Sequence, residues 1–257
     1  PSSAASDVYK RQGLAAFGDP SFSSANITTS FDAAAQILTV DIDNDGDLDV
    51  LGAAYADDEI AWFENNGASD PSFTSRTIAM GTSSVNGAWS VYAADMDSDG
   101  DIDVLSASVL DYKIAWYESD GAADPSFTAR TITTSADGAY SVYAADIDND
   151  GDMDVIYWDL GGEDVAGKCG NEMSNTMRVL KNDGAGSFTG TTYCLTPYEK
   201  ADGNWKNYWT SSIRMADMNG DGFVDIVTGE ASNYGEDRVV FNNGDGTFNF
   251  DNKTTVK

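Results

Sequence analysis

Aspartates recur at alternate positions in four short stretches of the chain, and each stretch contains a glycine. The first stretch reads DIDNDGDLDV from residue 41, and its counterparts begin at residues 95, 146 and 217. Carboxylates crowded at this spacing repel one another unless a cation lies between them. Hard oxygen donors in such number suit Ca²⁺, which takes about six to eight of them, better than Mg²⁺, which tends to keep its water.

Comparison of the four stretches indicates which positions supply ligands. Positions one, three, five and nine are always Asp or Asn, and position six is always glycine, which can adopt the positive φ that a tight loop requires. Position seven is aspartate three times and Phe223 once, so we expect it to contribute only its backbone carbonyl. The candidate metal ligands are Asp41, Asp43, Asp45, Asp47, Asp49, Asp95, Asp97, Asp99, Asp101, Asp103, Asp146, Asp148, Asp150, Asp152, Asp154, Asp217, Asn219, Asp221, Phe223 and Asp225.

Composition excludes several other functions. The chain of 257 residues contains no histidine, which rules out Ser-His-Asp catalysis and His-ligated zinc. Its formal net charge of −29 argues against nucleic acid or an anionic membrane surface as a partner. No apolar run approaches the ~18 residues of a membrane span, so no membrane insertion is expected.

The elements that must position these loops are short strands. Each repeat of about 50 residues contains four segments rich in Val, Ile, Tyr, Trp, Phe and Thr, bounded by Gly, Asp, Asn or Pro. A four-stranded antiparallel sheet repeated at this period predicts an all-β propeller, with the acidic loop between the first and second strands of each blade. Aromatic residues at equivalent places are expected to pack between blades: Trp62, Trp116, Tyr92 and Tyr143.

The repeats divide the chain into four blades of one propeller domain. The predicted blades are residues 31–84, 85–138, 139–200 with an insertion, and 201–257. Residues 13–30 look like the closing strand of a preceding blade, and residues 1–12 like a processing or non-native remnant. We therefore expect a section of a larger propeller, with a closed propeller of four or five blades as the alternative.

An EF-hand is disfavoured, because its loop needs flanking helices and a glutamate at position twelve. Here that position is Gly52, Ser106, Tyr157 or Thr228, and the flanks are strand-like.

The pattern D-x-D-x-D-G-D-x-D between strands, followed by segments such as IAWYE and an NDG-type turn, resembles the FG-GAP or VCBS repeat family. The integrin α-subunit propellers are its best-known members. The resemblance implies a calcium-binding propeller, usually seven-bladed, in an extracellular or cell-surface protein. It also implies about four Ca²⁺ ions, one in each acidic loop.

Function is predicted from this framework. The leading hypothesis is a non-enzymatic module for adhesion, protein interaction or structural assembly, whose partners are extracellular proteins or glycans. The alternative is a carbohydrate-binding or carbohydrate-active propeller. The acids outside repeat positions that could serve it are Asp159, Glu163, Asp164, Glu199 and Glu230, and the aromatics that could stack on sugars are Tyr157, Trp158, Tyr198, Trp205, Tyr208 and Trp209.

Two further features of the sequence are consistent with a secreted protein. Cys169 and Cys194 predict one disulfide, with two free thiols as the alternative. Asn26 and Asn252 begin Asn-x-Thr sequences that could accept glycans.

Overall fold

The residues that the structure describes form four antiparallel sheets of four strands each. The computed structural model describes residues 26–159, 176–194, 210–230, 238–248 and 254–255. Among them there is no helix, and so none long and apolar enough to cross a membrane. These sheets are arranged in a ring as four blades of a β-propeller, which confirms the predicted all-β propeller class.

Within every blade the strands are hydrogen-bonded in chain order. The first blade contains β1 (Ala34–Val40), β2 (Asp49–Ala54), β3 (Glu59–Asn65) and β4 (Phe73–Met80). The second contains β5 (Ala88–Ala94), β6 (Asp103–Ser108), β7 (Lys113–Ser119) and β8 (Phe127–Thr133). The third contains β9 (Ser141–Ala145), β10 (Asp154–Asp159), β11 (Thr176–Asn182) and β12 (Phe188–Cys194). The fourth contains β13 (Thr210–Ala216), β14 (Asp225–Glu230), β15 (Arg238–Val240) and β16 (Thr254–Thr255).

In the second and third blades the second strand is the most completely buried. All six residues of β6 and of β10 are buried, because neighbouring strands flank them and adjacent blades cover both faces. The outer strand β8, in contrast, is mostly exposed or half-buried. This gradient explains why the second strands read as apolar runs and the outer strands as mixtures of Thr, Arg and apolar residues.

Hydrophobic clusters join consecutive blades. Trp62 of the first blade packs in one cluster with Val91 of the second, and Trp116 of the second packs with Val142 of the third. A third cluster joins Trp158 to Ile213 of the fourth blade. The expected packing of Trp62 and Trp116 between blades is therefore confirmed.

The innermost strands border a cavity of about 420 Å³ near the propeller axis. Tyr92 of β5 and Tyr143 of β9 contact each other there, with ring centroids 5.4 Å apart. Arg214 of β13 extends over the Tyr143 ring at 5.7 Å and donates a hydrogen bond to its hydroxyl. The two tyrosines thus pack across the boundary between blades, as their repetition predicts.

Candidate metal centres in the acidic loops

Each acidic loop closes through a hydrogen bond between its first and sixth positions. The glycine N–H donates to the Oδ2 of the first aspartate at 2.9–3.1 Å in all four loops. The glycine φ values are 92° to 97°, as expected for a residue without a Cβ. The pairs are Asp41 with Gly46, Asp95 with Gly100, Asp146 with Gly151, and Asp217 with Gly222.

The loop has a second position with positive φ, which the sequence analysis did not predict. The fourth residue has φ of 57° at Asn44, 61° at Ser98 and 58° at Asn149, and the fourth loop has Gly220 there at 79°. The signal was present, because asparagine and glycine tolerate this conformation better than most residues. Two left-handed residues allow the loop to turn its carboxylates inward.

Three of the loops gather carboxylate oxygens within 4.8 Å of one another. The groups are Asp41, Asp43 and Asp45; Asp95, Asp97 and Asp99; and Asp146, Asp148 and Asp154. In the fourth loop, the Asn219 side-chain amide donates to Asp221 at 2.8 Å.

Carboxylate oxygens without a hydrogen-bond partner indicate whether a cation fits between the aspartates of a loop. Oδ1 of Asp41, of Asp97 and of Asp148 is buried and accepts no hydrogen bond, one such atom in each of the three groups. A buried carboxylate oxygen without a partner is costly unless a cation or a proton compensates it. Burial also raises the pKa of Asp43 and Asp97, with neighbouring aspartates adding to the effect. The donor set and the orphaned oxygens together fit a divalent cation.

The ninth-position aspartates have a structural task that the sequence did not reveal. Asp49 is fully buried, and its oxygens accept the N–H of Ile42 at 3.1 Å and of Asn65 at 2.8 Å. Each of its counterparts likewise accepts one N–H from its own loop and one from the third-strand side of its blade. The counterparts are Asp103, Asp154 and Asp225.

Two of these aspartates have the largest pKa shifts among the described carboxyl groups. Burial raises the pKa of Asp103 and of Asp154 to about 6, although two backbone N–H donors favour the ionised form of each. At Asp217 the effect is opposite, because the Gly222 N–H lowers the pKa of an exposed carboxyl. A cation beside Asp154, which belongs to the third carboxylate group, would favour its ionised form.

Of the residues predicted for carbohydrate chemistry, the three whose side chains the structure describes are buried. Tyr157 and Trp158 lie on β10, are each 2% exposed, and form part of the core. Asp159 is fully buried, accepts a hydrogen bond from Thr176 and pairs with Arg178 at 3.4 Å. Glu163, Asp164, Tyr198, Glu199, Trp205, Tyr208 and Trp209 lie outside the described residues, as does the side chain of Glu230.

The remaining predicted sites stay predictions. Asn26 is exposed, whereas Asn252 lies outside the described residues. Cys194 ends β12, but its side chain and all of Cys169 lie outside the described part of the chain.

Comparison with known proteins identifies the repeat. A family described as FG-GAP-like repeat matches residues 41–106 and 95–157. Each match begins at one acidic loop and ends in the strand that follows the next acidic loop. The predicted resemblance to this repeat family is therefore confirmed over residues 41–157. No curated protein sequence matches the chain significantly.

Two solved structures align with most of this chain. An Agrocybe aegerita lectin, described as recognising non-reducing terminal N-acetylglucosamine, is 16% identical over 86% of this chain and 79% of its own, with a TM-score of 0.28. The V. cholerae biofilm matrix protein Bap1 is 16% identical over 85% of this chain and 38% of its own, with a TM-score of 0.34. TM-scores this low support no conclusion about function.

Proposed function

We propose that the protein is an extracellular calcium-binding propeller that acts, without catalysis, as a module for protein interaction or structural assembly. The carrying observation is the repeated loop, in which carboxylates converge and one buried oxygen in each of three loops lacks a partner. Ca²⁺ suits this set of oxygen donors, and the ninth-position aspartate ties each loop to the third strand of the same blade. The ion would then fix the connection between the first two strands.

The proposal that the protein is not an enzyme is supported by the structural roles of its acidic residues. The aspartates with the most perturbed pKa, Asp103 and Asp154, are held by backbone N–H donors in the loops. Asp159, the candidate acid of the carbohydrate alternative whose side chain the structure describes, is buried and paired with Arg178. A blade surface bordered by cation-binding loops suits recognition of another macromolecule.

Chelation tests the proposal. A site that binds Ca²⁺ at 100 times its Kd stabilises the folded state by about 2.7 kcal/mol, or roughly 5–10 °C in Tm for a chain of this size. We expect excess EDTA to lower Tm by at least about 5 °C and Ca²⁺, but not equimolar Mg²⁺, to restore it. Calorimetric titration of the metal-free protein should give about four sites.

Matched variants sharpen the test. Asp43→Asn removes a charge from the first loop and should reduce the Ca²⁺ stoichiometry, whereas Asp70→Asn alters an exposed acid outside the loops and should not. Unchanged melting in EDTA would refute the calcium role. A glycan-dependent signal on a glycan array, lost in Trp205→Ala, would instead favour the carbohydrate-binding alternative.

A further inference from the structure

The turn between the third and fourth strands of one blade covers the third strand of the preceding blade. At the first junction, this turn belongs to the second blade and spans residues 120–126. Its Asp124 accepts a hydrogen bond from Nη1 of Arg76 at 2.5 Å, while Nε of Arg76 donates to Glu64 of the first blade at 2.7 Å. Arg76 also lies over the Trp62 ring at 5.7 Å. One guanidinium thus binds two carboxylates, one from each blade.

The third junction is filled in a different way. Lys181 occupies the place of Glu64 on its strand, as the pairing with β12 shows. Its Nζ donates to Asp148 at 2.9 Å and to the carbonyl of Asp245 in the next blade at 2.5 Å. A side chain from the third blade therefore reaches the covering turn directly.

The second junction contains the same arginine but not its second carboxylate. Arg130 pairs with Glu118 and lies over the Trp116 ring at 5.3 Å, as Arg76 does at the first junction. The covering turn spans only residues 183–187, against 120–126 in the second blade, and has no counterpart of Asp124. The Arg130 side chain is accordingly 52% exposed, compared with 32% for Arg76.

A cavity of about 270 Å³ remains where that carboxylate would be. Trp116, Glu118 and Arg130 line it from the second blade, and the small residues 184–186 line it from the third. Gly186 approaches the Trp116 ring so closely that a Cβ on it would lie 3.2 Å from the ring. The cavity therefore has an aromatic edge, a free side of a guanidinium and a lining of small residues.

We propose that this cavity binds the carboxylate of a small organic acid, supplied either by a sugar acid or by an aspartate of a short peptide. The carboxylate would take the position relative to Arg130 that Asp124 takes relative to Arg76, so the chain itself contains the template for the interaction. Charge-assisted bonds from arginine to carboxylate are among the stronger hydrogen bonds in proteins. The first junction demonstrates that one arginine in this setting accommodates two carboxylates.

Asp97 also lines the cavity and belongs to the second acidic loop. A cation in that loop would offset its charge, so binding of an anion should be stronger with Ca²⁺ present. The inference rests on the proposed function in this respect only. All variants are therefore compared at one saturating Ca²⁺ concentration. Loss of acid binding by the cavity can then be distinguished from loss of Ca²⁺ binding by the loops.

Titration calorimetry with D-glucuronate tests the site, with D-glucose as the uncharged control. A second arm uses the capped peptide acetyl-Ala-Asp-Pro-Ser-amide, which copies residues 123–126 and distinguishes a peptide carboxylate from a sugar acid. We expect one equivalent of an acid to bind with a Kd on the order of 1 mM, and glucose not to bind. Arg130→Met should weaken binding at least about tenfold, whereas Arg76→Met should leave it unchanged.

Two variants change the number of sites in opposite directions. Asp124→Ala should free Arg76 and raise the stoichiometry from one to two. Replacing residues 184–187 with the sequence of 121–126 should supply the missing aspartate and abolish binding. Binding by neither acid, equal binding of glucose, or equal effects of Arg130→Met and Arg76→Met would overturn the proposal, provided circular dichroism shows each variant folded.

Discussion

At the seventh position of each acidic loop, the side chain packs against a glycine in the turn after the third strand. A Cβ on Gly67 would lie 2.0 Å from an oxygen of Asp47, and one on Gly244 would lie 3.1 Å from the ring of Phe223. Both glycines have positive φ, 64° and 84°. The turn glycine is therefore required by backbone conformation and by space, whereas position seven accepts either an acid or an aromatic ring.

Asp47→Phe and Gly67→Ala should consequently differ. We expect Asp47→Phe to retain Ca²⁺ binding and nearly the original stability, because Phe223 already occupies this position against Gly244. Gly67→Ala should lose at least about 1–2 kcal/mol from left-handed strain alone. Urea denaturation measures both, and the double variant Asp47→Ala/Gly67→Ala should recover part of the loss. Equal stability of Gly67→Ala and the unmodified chain would contradict this account.

Positions three and nine of a loop should respond differently to chelation. Asp49 is fully buried and accepts two backbone N–H bonds, so Asp49→Ala should cost at least about 2 kcal/mol even in EDTA. Asp43→Ala, at a half-buried position, should destabilise mainly in the presence of Ca²⁺. Denaturation curves of both variants with and without Ca²⁺ check the difference. If both variants lost stability only with Ca²⁺, the structural role of Asp49 would be wrong.

At the scale of elements, asparagines at or just beyond the end of the third strand connect the third and fourth blades to the acidic loop of the preceding blade. The Asn242 amide donates to the Ile147 carbonyl at 2.7 Å and to Val224 of its own blade at 3.2 Å. Asn182 contacts Met96 and Met153 in the same way. Asn65 of the first blade donates only within its blade, to Leu48 at 3.0 Å. Blade junctions therefore use polar bonds to acidic loops as well as apolar contacts.

Asn242→Ala should destabilise the protein more than its counterpart Asn65→Ala. Removing the buried Asn242 amide leaves two carbonyls without this donor, which costs about 1–3 kcal/mol for each buried group. The exposed Asn65 contact should be worth less than about 1 kcal/mol. Thermal unfolding of the two variants in Ca²⁺ measures the difference, and a larger loss for Asn65→Ala would contradict the proposed role of the junction.

At the scale of the whole molecule, the first and fourth blades each expose a large apolar side chain at a position that is buried in the other blades. Ile37 is 63% exposed, whereas the residues at its register position in the other blades are buried: Val91, Val142 and Ile213. Met218 is 52% exposed, whereas Ile42, Met96 and Ile147 at the same loop position are at most 2% exposed. These positions resemble the ones that adjacent blades cover, and the expectation of a larger propeller stays a prediction.

Matched isoleucines test this difference. Ile213→Ala should cost about 2–5 kcal/mol, because Ile213 is 1% exposed in the cluster between the third and fourth blades. Ile37→Ala should change the free energy of unfolding by less than about 0.5 kcal/mol. Urea denaturation of this chain gives both values. A large loss for Ile37→Ala would show that the first blade packs against another surface in solution.

Much of the architecture follows from the sequence because it is encoded locally and repeated. Each loop, from Asp41 to Asp49 and its copies, contains its own oxygen donors and its own glycine, and the alternation around it specifies strands. Four registers of the same pattern then determine the blade, the order of strands and the candidate ligands. These features depend on residues within a few positions of one another.

Contacts between distant residues were decided only by tertiary structure. The sequence could not reveal that Asp49 binds the N–H of Asn65, that Trp158 is buried rather than available to a sugar, or that Arg130 lacks the partner that Asp124 gives Arg76. Each of these outcomes depends on which blade lies beside which and on the length of a covering turn. Local pattern therefore determined the loops and blades, whereas packing between blades decided which side chains remain free for function.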